Sequence, residues 1–283
     1  MGVAHGFPGR ERTITASIVA YNTSLHVLQG LLQDLSVDKS ISRIILVDNS
    51  EDGIYGETST RFAIERMRPG RNIGYGSAHN MAFEVCSPRS DYHVVLNPDI
   101  RIPAGTIARL SQFMETHADA GLVMPRIAYP DGATQHLCKL LPGPWDLIVR
   151  RFLPVQALKK KAQDRLEMKT FFGYEKVVEV PWLSGSFMFL RTSVAKKVGL
   201  FDSRFFLYME DADLSRRLGS VSRNMYFPEV TVFHGYQKES YKSLRAVLLH
   251  IVSAVKYFNK WGWIFDDDRR RTNRRILRAL RRP

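Results

Sequence analysis

Two acidic motifs in this 283-residue chain have the residue types for group-transfer chemistry: Asn97-Pro98-Asp99 and, far downstream, Glu210-Asp211-Ala212-Asp213. The first follows the apolar run Tyr92-His93-Val94-Val95-Leu96, which reads as a buried strand, so Asp99 stands at a strand tip. A carboxylate there suits a divalent cation, because hard cations want oxygen ligands. The second follows Phe205-Phe206-Leu207-Tyr208-Met209 and opens a short polar helix, where a carboxylate can take the proton of an incoming hydroxyl. Glu210, Asp211 and Asp213 compete for that role, and helical spacing points Asp211 and Asp213 to different sides. Together the motifs point to metal-assisted transfer from a phosphorylated donor. Taken singly, each reads better as an ordinary strand-end or helix-cap acid.

The elements that must position these acids alternate. Thr13 to Ala20 is rich in β-branched residues and reads as a first strand. Ser24 can cap a helix carrying Leu25, Leu28, Leu31, Leu32 and Leu35. Arg43 to Val47 predicts a second strand ending at Asp48-Asn49-Ser50, and Phe62 to Met67 a short third. Gly74-Tyr75-Gly76 leads into a helix over Ala78 to Val85, a further helix runs from about Pro103 to Thr116, and Gly121 to Met124 predicts another strand. Strands alternating with helices imply an α/β fold with a parallel, doubly wound sheet, and such sheets bind ligands beyond the carboxyl ends of their strands. Tyr21-Asn22, Asp48-Asn49-Ser50 and Asn97-Pro98-Asp99 all fall there. Tyr129 to Val178, with four prolines and the run Lys159-Lys160-Lys161, reads as a mobile insertion of loops and short helices. Val180 to Leu190 resumes strand character around Ser184-Gly185-Ser186, and Thr231-Val232-Phe233 leads to His234. From Ser243 onward, Leu244, Val247, Leu248, Ile251, Val255 and Phe258 recur at helical spacing. Trp261, Trp263, Phe265 and an arginine-rich segment from Arg269 follow, interleaved with Ile276, Leu277 and Leu280.

Composition bounds the partners. The chain carries 41 Lys+Arg against 28 Asp+Glu, a formal net charge of +13, which implies a polyanionic partner. Nucleic acid is disfavoured, because the arginines cluster in one terminal segment and no helix-turn-helix, zinc-finger or ribonucleoprotein signature appears. A dehydrogenase is disfavoured too, since Tyr21-Asn22-Thr23 stands after the first strand in place of GxGxxG. A non-catalytic basic protein binding nucleic acid or membrane on an α/β scaffold is the rival reading. Cys86 and Cys138 form no CxxC and fit a reducing compartment, Cys86 as a helix-core residue and Cys138 as a loop residue. Met1 to Arg12 lacks the apolar stretch of a signal peptide, and no apolar run reaches the roughly 18 residues of a spanning helix. The expectation is a protein made and kept in the cytosol, with room for it to lie on a membrane.

In order, the chain presents Ser17-Ile18-Val19-Ala20-Tyr21-Asn22, Val47-Asp48-Asn49-Ser50, Asn72-Ile73-Gly74-Tyr75-Gly76 with Asn80, Asn97-Pro98-Asp99, Trp182-Leu183-Ser184-Gly185-Ser186 and Glu210-Asp211. This series resembles the inverting GT-A glycosyltransferases of family two. It is most similar to their bacterial rhamnosyltransferase branch, which builds lipopolysaccharide O-antigen and related cell-wall glycans. The resemblance covers Thr13 to Trp263 and rests on six motifs in sequence rather than on any one.

The resemblance implies a GT-A fold, with a catalytic domain over 1–240 and basic amphipathic helices over 241–283. Within the domain, 13–125 would form the nucleotide-binding half, 129–178 a variable insertion and 180–240 the acceptor half. It implies a nucleoside-diphosphate sugar donor, dTDP-L-rhamnose, and a glycan or polyprenyl-linked acceptor. Asp48 would hydrogen-bond the base, with Tyr21, Asn22, Arg71, Asn72, Gly74 and Asn97 around the donor nucleotide. Asp99 would bind Mg²⁺ or Mn²⁺ with the diphosphate, and His234 would complete that site. Asn97 replaces the first acid of the family's DxD motif, which leaves fewer anionic ligands. Asp211 would be the general base, with Trp182, Gly185, Ser186 and Glu210 near sugar or acceptor. The arginine-rich tail has two readings, a solvated basic helix or an interfacial helix with its apolar side in the headgroups and its arginines on anionic phosphates. A homodimer through the apolar Leu244 to Phe258 face competes with membrane or intramolecular packing of that face.

Overall fold

A computed structural model of the chain describes residues 12–51, 53, 64–147, 156–235 and 244–281. The first half alternates as expected. Strands β1 (Ile14–Ala20), β2 (Ile41–Asp48), β3 (Ile64–Met67) and β4 (Tyr92–Leu96) run parallel, connected by helices α1 (Leu25–Val37) and α2 (Tyr75–Cys86). Then come β5 (Ile100–Arg101), α3 (Thr106–Thr116), β6 (Ala120–Ala128), β7 (Cys138–Lys139), α4 (Gln156–Leu166), α5 (Lys169–Phe172) and β8 (Val178–Glu179). The chain continues through β9 (Trp182–Leu183), β10 (Phe187–Arg191), α6 (Thr192–Val198), α7 (Glu210–Gly219), β11 (Arg223–His234), α8 (Leu244–Trp261) and α9 (Asp267–Leu280).

The main sheet has the order β3-β2-β1-β4-β10-β6-β11-β5, with β8 on β11. It is mostly parallel: β10 runs against β4 and β6, β5 and β8 run against β11, and the other pairings are parallel. Every residue of β1 is buried, as expected of a strand covered on both faces. Ile14, Ala16, Ile18 and Ala20 join the large core cluster, whereas Val19 packs with Ile45, Val47, Ala78, Ala82 and Cys86 beneath α2. The alternate positions Thr15 and Ser17 carry a buried polar chain. Ser17 Oγ lies 2.7 Å from His79 Nδ1 and 2.9 Å from His93 Nε2, and Thr15 Oγ1 lies 2.8 Å from His93 Nδ1. Burial pushes His93 down to about 3, so this network stays uncharged at ordinary pH.

Three expectations change. The segment after β6, expected as a mobile insertion of loops and short helices, contributes Leu140, Leu166, Met168 and Tyr174 to the main core. Cys138 lies on strand β7 and is buried, not on a loop. Lys159 lies where no side chain is described, while Lys160 and Lys161 are exposed on α4.

The third change concerns the arginine-rich tail. Its aliphatic side faces protein rather than the surroundings: Ile276 is buried, and Leu277 and Leu280 pack against the main core. Asn273 exchanges two hydrogen bonds with the Leu141 backbone, at 3.0 and 2.9 Å. Upstream, the N-cap Asp266 is buried against Arg216 of α7, 2.8 Å from its Nη1, and Asp268 accepts from Arg216 Nε at 3.0 Å. Arg216 also lies over the Trp261 ring, 4.1 Å from its centroid. These contacts fix α9 to the domain. The exposed apolar stripe is on α8 instead: Leu244 (84% exposed), Leu248, Ile251, Val252 and Val255, with Trp263, Ile264 and Phe265 (85%) just beyond its end. Among the described residues no helix is long and apolar enough to cross a membrane.

Candidate active site

Strand register assembles the site. β1 and β2 pair through Ala20↔Asp48, and β1 and β4 through Ile18↔Leu96, so Tyr21-Asn22, Asn49-Ser50 and Asn97-Pro98-Asp99 leave the same sheet edge. β10 runs the other way and pairs Phe187 with Leu96, which delivers the Ser184-Gly185-Ser186 turn to that edge. The β11–β5 pair His234↔Ile100 then brings His234 beside Asp99. The Asn97 amide donates to the Ser186 carbonyl at 2.9 Å, and the Gly235 amide to the Asp99 carbonyl at 3.1 Å.

On the β1–β2 side, Asp48 is fully buried. Its Oδ1 accepts from the Ser50 amide at 3.2 Å, and its Oδ2 has no hydrogen-bond partner among the described residues. The nearest cation, Arg66 Nη2, stands 3.9 Å from that oxygen, beyond hydrogen-bond range. A buried acceptor left open calls for a donor. Asn22 takes the left-handed conformation at φ 49, which an Asn tolerates, and its amide donates to Ser50 Oγ at 3.0 Å. Asn49 locks the next loop, donating from Nδ2 to Asn72 Oδ1 at 2.9 Å and accepting from the Ile73 amide at 3.0 Å. Gly74, at φ +88, lets the chain pass so close to Phe206 that an added Cβ would stand 2.4 Å from its carbonyl oxygen. The Tyr75 amide donates to that same carbonyl at 2.9 Å, joining the start of α2 to the loop before α7.

That loop ends in two consecutive left-handed residues, Tyr208 at φ 69 and Met209 at φ 67, which cost strain and set the direction of α7. The strain is held by burial of Phe205 and Met209 in one cluster with Tyr257 and Phe258 of α8. The result aims Asp211 into the cleft. Asp211 Oδ2 accepts from the Gly185 amide at 3.0 Å and Oδ1 from the Ala212 amide at 2.8 Å. The Gly185 carbonyl accepts from Tyr75 Oη at 2.7 Å. Burial, with the negative charges of Glu210, Asp211 and Asp99, pushes the Tyr75 phenol well up, so all three acids act on one hydroxyl. Glu210 is buried, its Oε2 lacks a hydrogen-bond partner among the described residues, and burial plus the Asp211 charge push it up to about 8. Near neutrality Glu210 therefore holds its proton. Asp213 faces away, fully buried and bonded to Arg217 at 2.7 Å, Lys260 at 2.6 Å and Trp261 Nε1 at 2.8 Å.

Asp99 Oδ1 lies 3.2 Å from His234 Nε2, and Asn97 Nδ2 lies 3.3 Å from the same nitrogen. Adjacent ligands of an octahedral cation with bonds of about 2.1 Å are themselves about 3 Å apart, so the Asp99–His234 spacing fits a shared ion. No cluster of three or more His, Cys, Asp or Glu able to hold a metal occurs among the described residues. A cation held by Asp99 and His234 would need its remaining ligands from diphosphate and water, as is usual for Mg²⁺.

The remaining sequence candidates divide. Gly185 and Ser186 line the turn at the cleft, and Tyr21 is exposed at its rim. Arg71 is exposed at the same loop and forms no ion pair among the described residues. Asn72 is occupied in the Asn49 lock, and Asn97 sits against His234 rather than on the Asp48 side. Of the two places open to Trp182, on a sugar ring or in the core, the structure gives the core: the ring is buried in a cluster with Phe205 and Met209, and Lys139 Nζ lies 4.4 Å from its centroid. Sequence reasoning missed Tyr75 and Gln135. Tyr75 was visible only as the aromatic within Gly74-Tyr75-Gly76; Gln135 lies in the proline-bearing stretch and carried no signal.

No protein-family model matches the chain. It is 31% identical over 233 residues to the N-acetylglucosaminyl-diphospho-decaprenol L-rhamnosyltransferase of Mycobacterium tuberculosis, covering 76% of this chain and 74% of the relative. It is 25% identical over 242 residues to Rhamnosyltransferase WbbL of Escherichia coli K12, covering 81% of this chain and 87% of that one. Its structure is similar to that of GalNAc-T7 with UDP, GalNAc and Mn²⁺, at a TM-score of 0.58 and 13% identity, covering 80% of this chain. The chain spans only 43% of GalNAc-T7, and that likeness speaks for the fold alone. The protein belongs to the family two GT-A glycosyltransferases, in the rhamnosyltransferase branch, and is a nucleotide-sugar-dependent glycosyltransferase.

The Glu210 environment sets a pH dependence. The unfolded chain releases this proton near the ordinary value of 4.5, whereas the folded protein keeps it to about 8. Between those values the native state binds the extra proton, so this residue's contribution to stability falls as pH rises. Glu210→Gln is therefore expected to be more stable than the parent near pH 8, with the gap closing near pH 5, by urea denaturation at each pH. A gap independent of pH would contradict the assignment.

Proposed function

We propose that this protein transfers L-rhamnose from dTDP-L-rhamnose, with inversion, onto a glycan carried by a polyprenyl diphosphate, with Asp211 as general base. The observation that carries this reading is the Gly185 amide bound to the Asp211 carboxylate in the same cleft as Asp99. Support for the sugar and the lipid-linked acceptor comes from the relative named as an N-acetylglucosaminyl-diphospho-decaprenol L-rhamnosyltransferase.

In this reading Asp48 accepts the N3–H of the pyrimidine base, which satisfies its open buried oxygen. Tyr21, Asn22 and Arg71 border the nucleotide, with Arg71 available to phosphate. Asp99 and His234 hold Mg²⁺ or Mn²⁺, which when bound offsets charge developing on the departing diphosphate. Asp211 takes the proton of the acceptor hydroxyl as its oxygen attacks the anomeric carbon. The bond from that carbon to the diphosphate oxygen breaks, its electron pair leaves with dTDP, and a β-L-rhamnosyl donor yields an α-L-rhamnoside. Glu210 does not compete as a base near neutrality because it already holds a proton, and Asp213 is tied up in ion pairs. Tyr75 and Gly185 hold the base in place.

The protein works at the cytoplasmic face of a membrane, docked by the α8 stripe and Trp263, Ile264 and Phe265, with the exposed arginines of α9 on anionic headgroups. α8 supports this because its other face carries the loop that presents Asp211: Ser253 Oγ donates to the Leu207 carbonyl at 2.7 Å, and Lys256 Nζ to the Arg204 carbonyl at 2.8 Å. A homodimer through the same stripe is the competing occupant.

Asp211→Asn is expected to lower turnover about 10²–10⁴-fold while the protein keeps its melting-temperature rise with dTDP-rhamnose and Mn²⁺. Near-normal turnover would rule out the base assignment. Leu248→Glu combined with Ile251→Glu is expected to abolish sedimentation with phosphatidylglycerol vesicles without changing the mass found by light scattering. Unchanged vesicle binding, or a dimer that dissociates in the variant, would overturn the membrane-docked reading.

A further inference from the structure

We infer that Gln135 is a positioning residue that fixes which ring nitrogen of His234 turns its lone pair toward the cation site beside Asp99. This rests on the reading of Asp99 and His234 as the cation's ligands and goes one residue beyond it.

The reasoning is a chain of donors and acceptors. Gln135 and His234 are both about 4% exposed, so neither leans on bulk water for its hydrogen bonds. Gln135 follows the turn after β6, where its amide donates to the Ile127 carbonyl at 2.8 Å, and Ile127 pairs with Val232 of β11. From there the side chain grips His234 at two points. Its terminal group lies 2.9 Å from the His234 carbonyl and 3.0 Å from Nδ1. A carbonyl oxygen only accepts, so the Gln135 amide nitrogen must face it. Gln135 Oε1 therefore faces Nδ1, and Oε1 only accepts, so Nδ1 carries the proton. The neutral ring then has its lone pair on Nε2. That nitrogen is 3.2 Å from Asp99 Oδ1, an arrangement of two acceptors that a cation satisfies. Asn97 Nδ2, 3.3 Å away, supplies a donor to the same lone pair in the free protein. An Asp at position 97 has no such donor, so Asn97 accommodates the tautomer that Gln135 sets. Second partners of this kind set ring orientation and metal affinity.

The test reads the tautomer directly. Long-range ¹H–¹⁵N spectra of histidine-labelled full-length protein, at a pH where the ring is neutral, are expected to show the His234 proton on Nδ1. Gln135→Leu is expected to move it to Nε2, and Gln135→Glu, which keeps an acceptor at Nδ1, to hold it. Titration with Mn²⁺ alone, followed by the electron paramagnetic resonance of the free ion, is expected to give a Kd about 10–100-fold weaker in Gln135→Leu and nearer the parent in Gln135→Glu. Melting temperatures of the variants check that the fold survives. Persistence of the Nδ1 proton in Gln135→Leu, or an unchanged Kd there while Asp99→Asn weakens Mn²⁺, would refute the role of Gln135 and leave the metal reading standing. No Mn²⁺ binding by the parent, or a Kd insensitive to Asp99→Asn, would refute the metal reading and the Gln135 role together.

Discussion

Gly185 is held through both peptide groups it joins, its N–H on the Asp211 carboxylate and its C=O on the Tyr75 hydroxyl. The rest of the cleft depends on that one residue. Tyr75 opens α2, whose start is pinned to the loop before α7 through the Phe206 carbonyl. The next residue, Ser186, accepts the Asn97 amide and so fixes the strand tip that bears Asp99. The turn thus ties together elements from both halves of the chain, and each of its bonds is a backbone group satisfied at a sheet edge. A glycine suits position 185, because an added Cβ would stand 3.2 Å from Asp211 Cβ and 3.6 Å from the Tyr75 ring. Moving either wall would swing the Asp211 carboxylate.

The same cleft gathers three acids, and the protein handles each differently. Glu210 is desolvated beside Asp211 and keeps its proton, so the pair carries one negative charge rather than two. Asp211 is stabilised by two backbone amides at the start of α7, where the helix dipole favours an anion. Asp99 faces an imidazole nitrogen. In the proposed reading a donor diphosphate would add further negative charge here, which is the electrostatic reason for a divalent cation in that mechanism. The strain at Tyr208 and Met209 is held by hydrophobic packing onto α8, so the helix that presents an apolar stripe outward also supports the base.

Much of this was legible in the sequence. Continuous apolar runs marked β1, β2 and β4, and the polar residues at their ends marked the binding edge, because a parallel sheet exposes its ligand face there. Position within that order put Asp48 and Asp99 at this edge, while the roles given to them and to Asp211 came from the family resemblance and belong to the proposed mechanism. What stayed hidden depended on tertiary partners. Trp182 sits on a two-residue strand, too short for alternation to say which face it takes. Gln135 lies in an irregular stretch, and its importance arises only where β11 ends beside it. The periodicity of α8 and α9 revealed an apolar side on each helix but not which is covered. The buried Arg216–Asp266 pair and the Asn273–Leu141 bonds turn the α9 side inward and leave the α8 stripe outward.

The central claim is that Asp211, aimed by Gly185, drives a single displacement at the anomeric carbon. The most direct measurement is the anomeric configuration of the product made from dTDP-β-L-rhamnose and a lipid-linked N-acetylglucosamine acceptor, read by nuclear magnetic resonance. An α-L-rhamnoside is the result the account predicts. A β-L-rhamnoside would mean net retention, which one displacement assisted by a single base does not produce, and would contradict it.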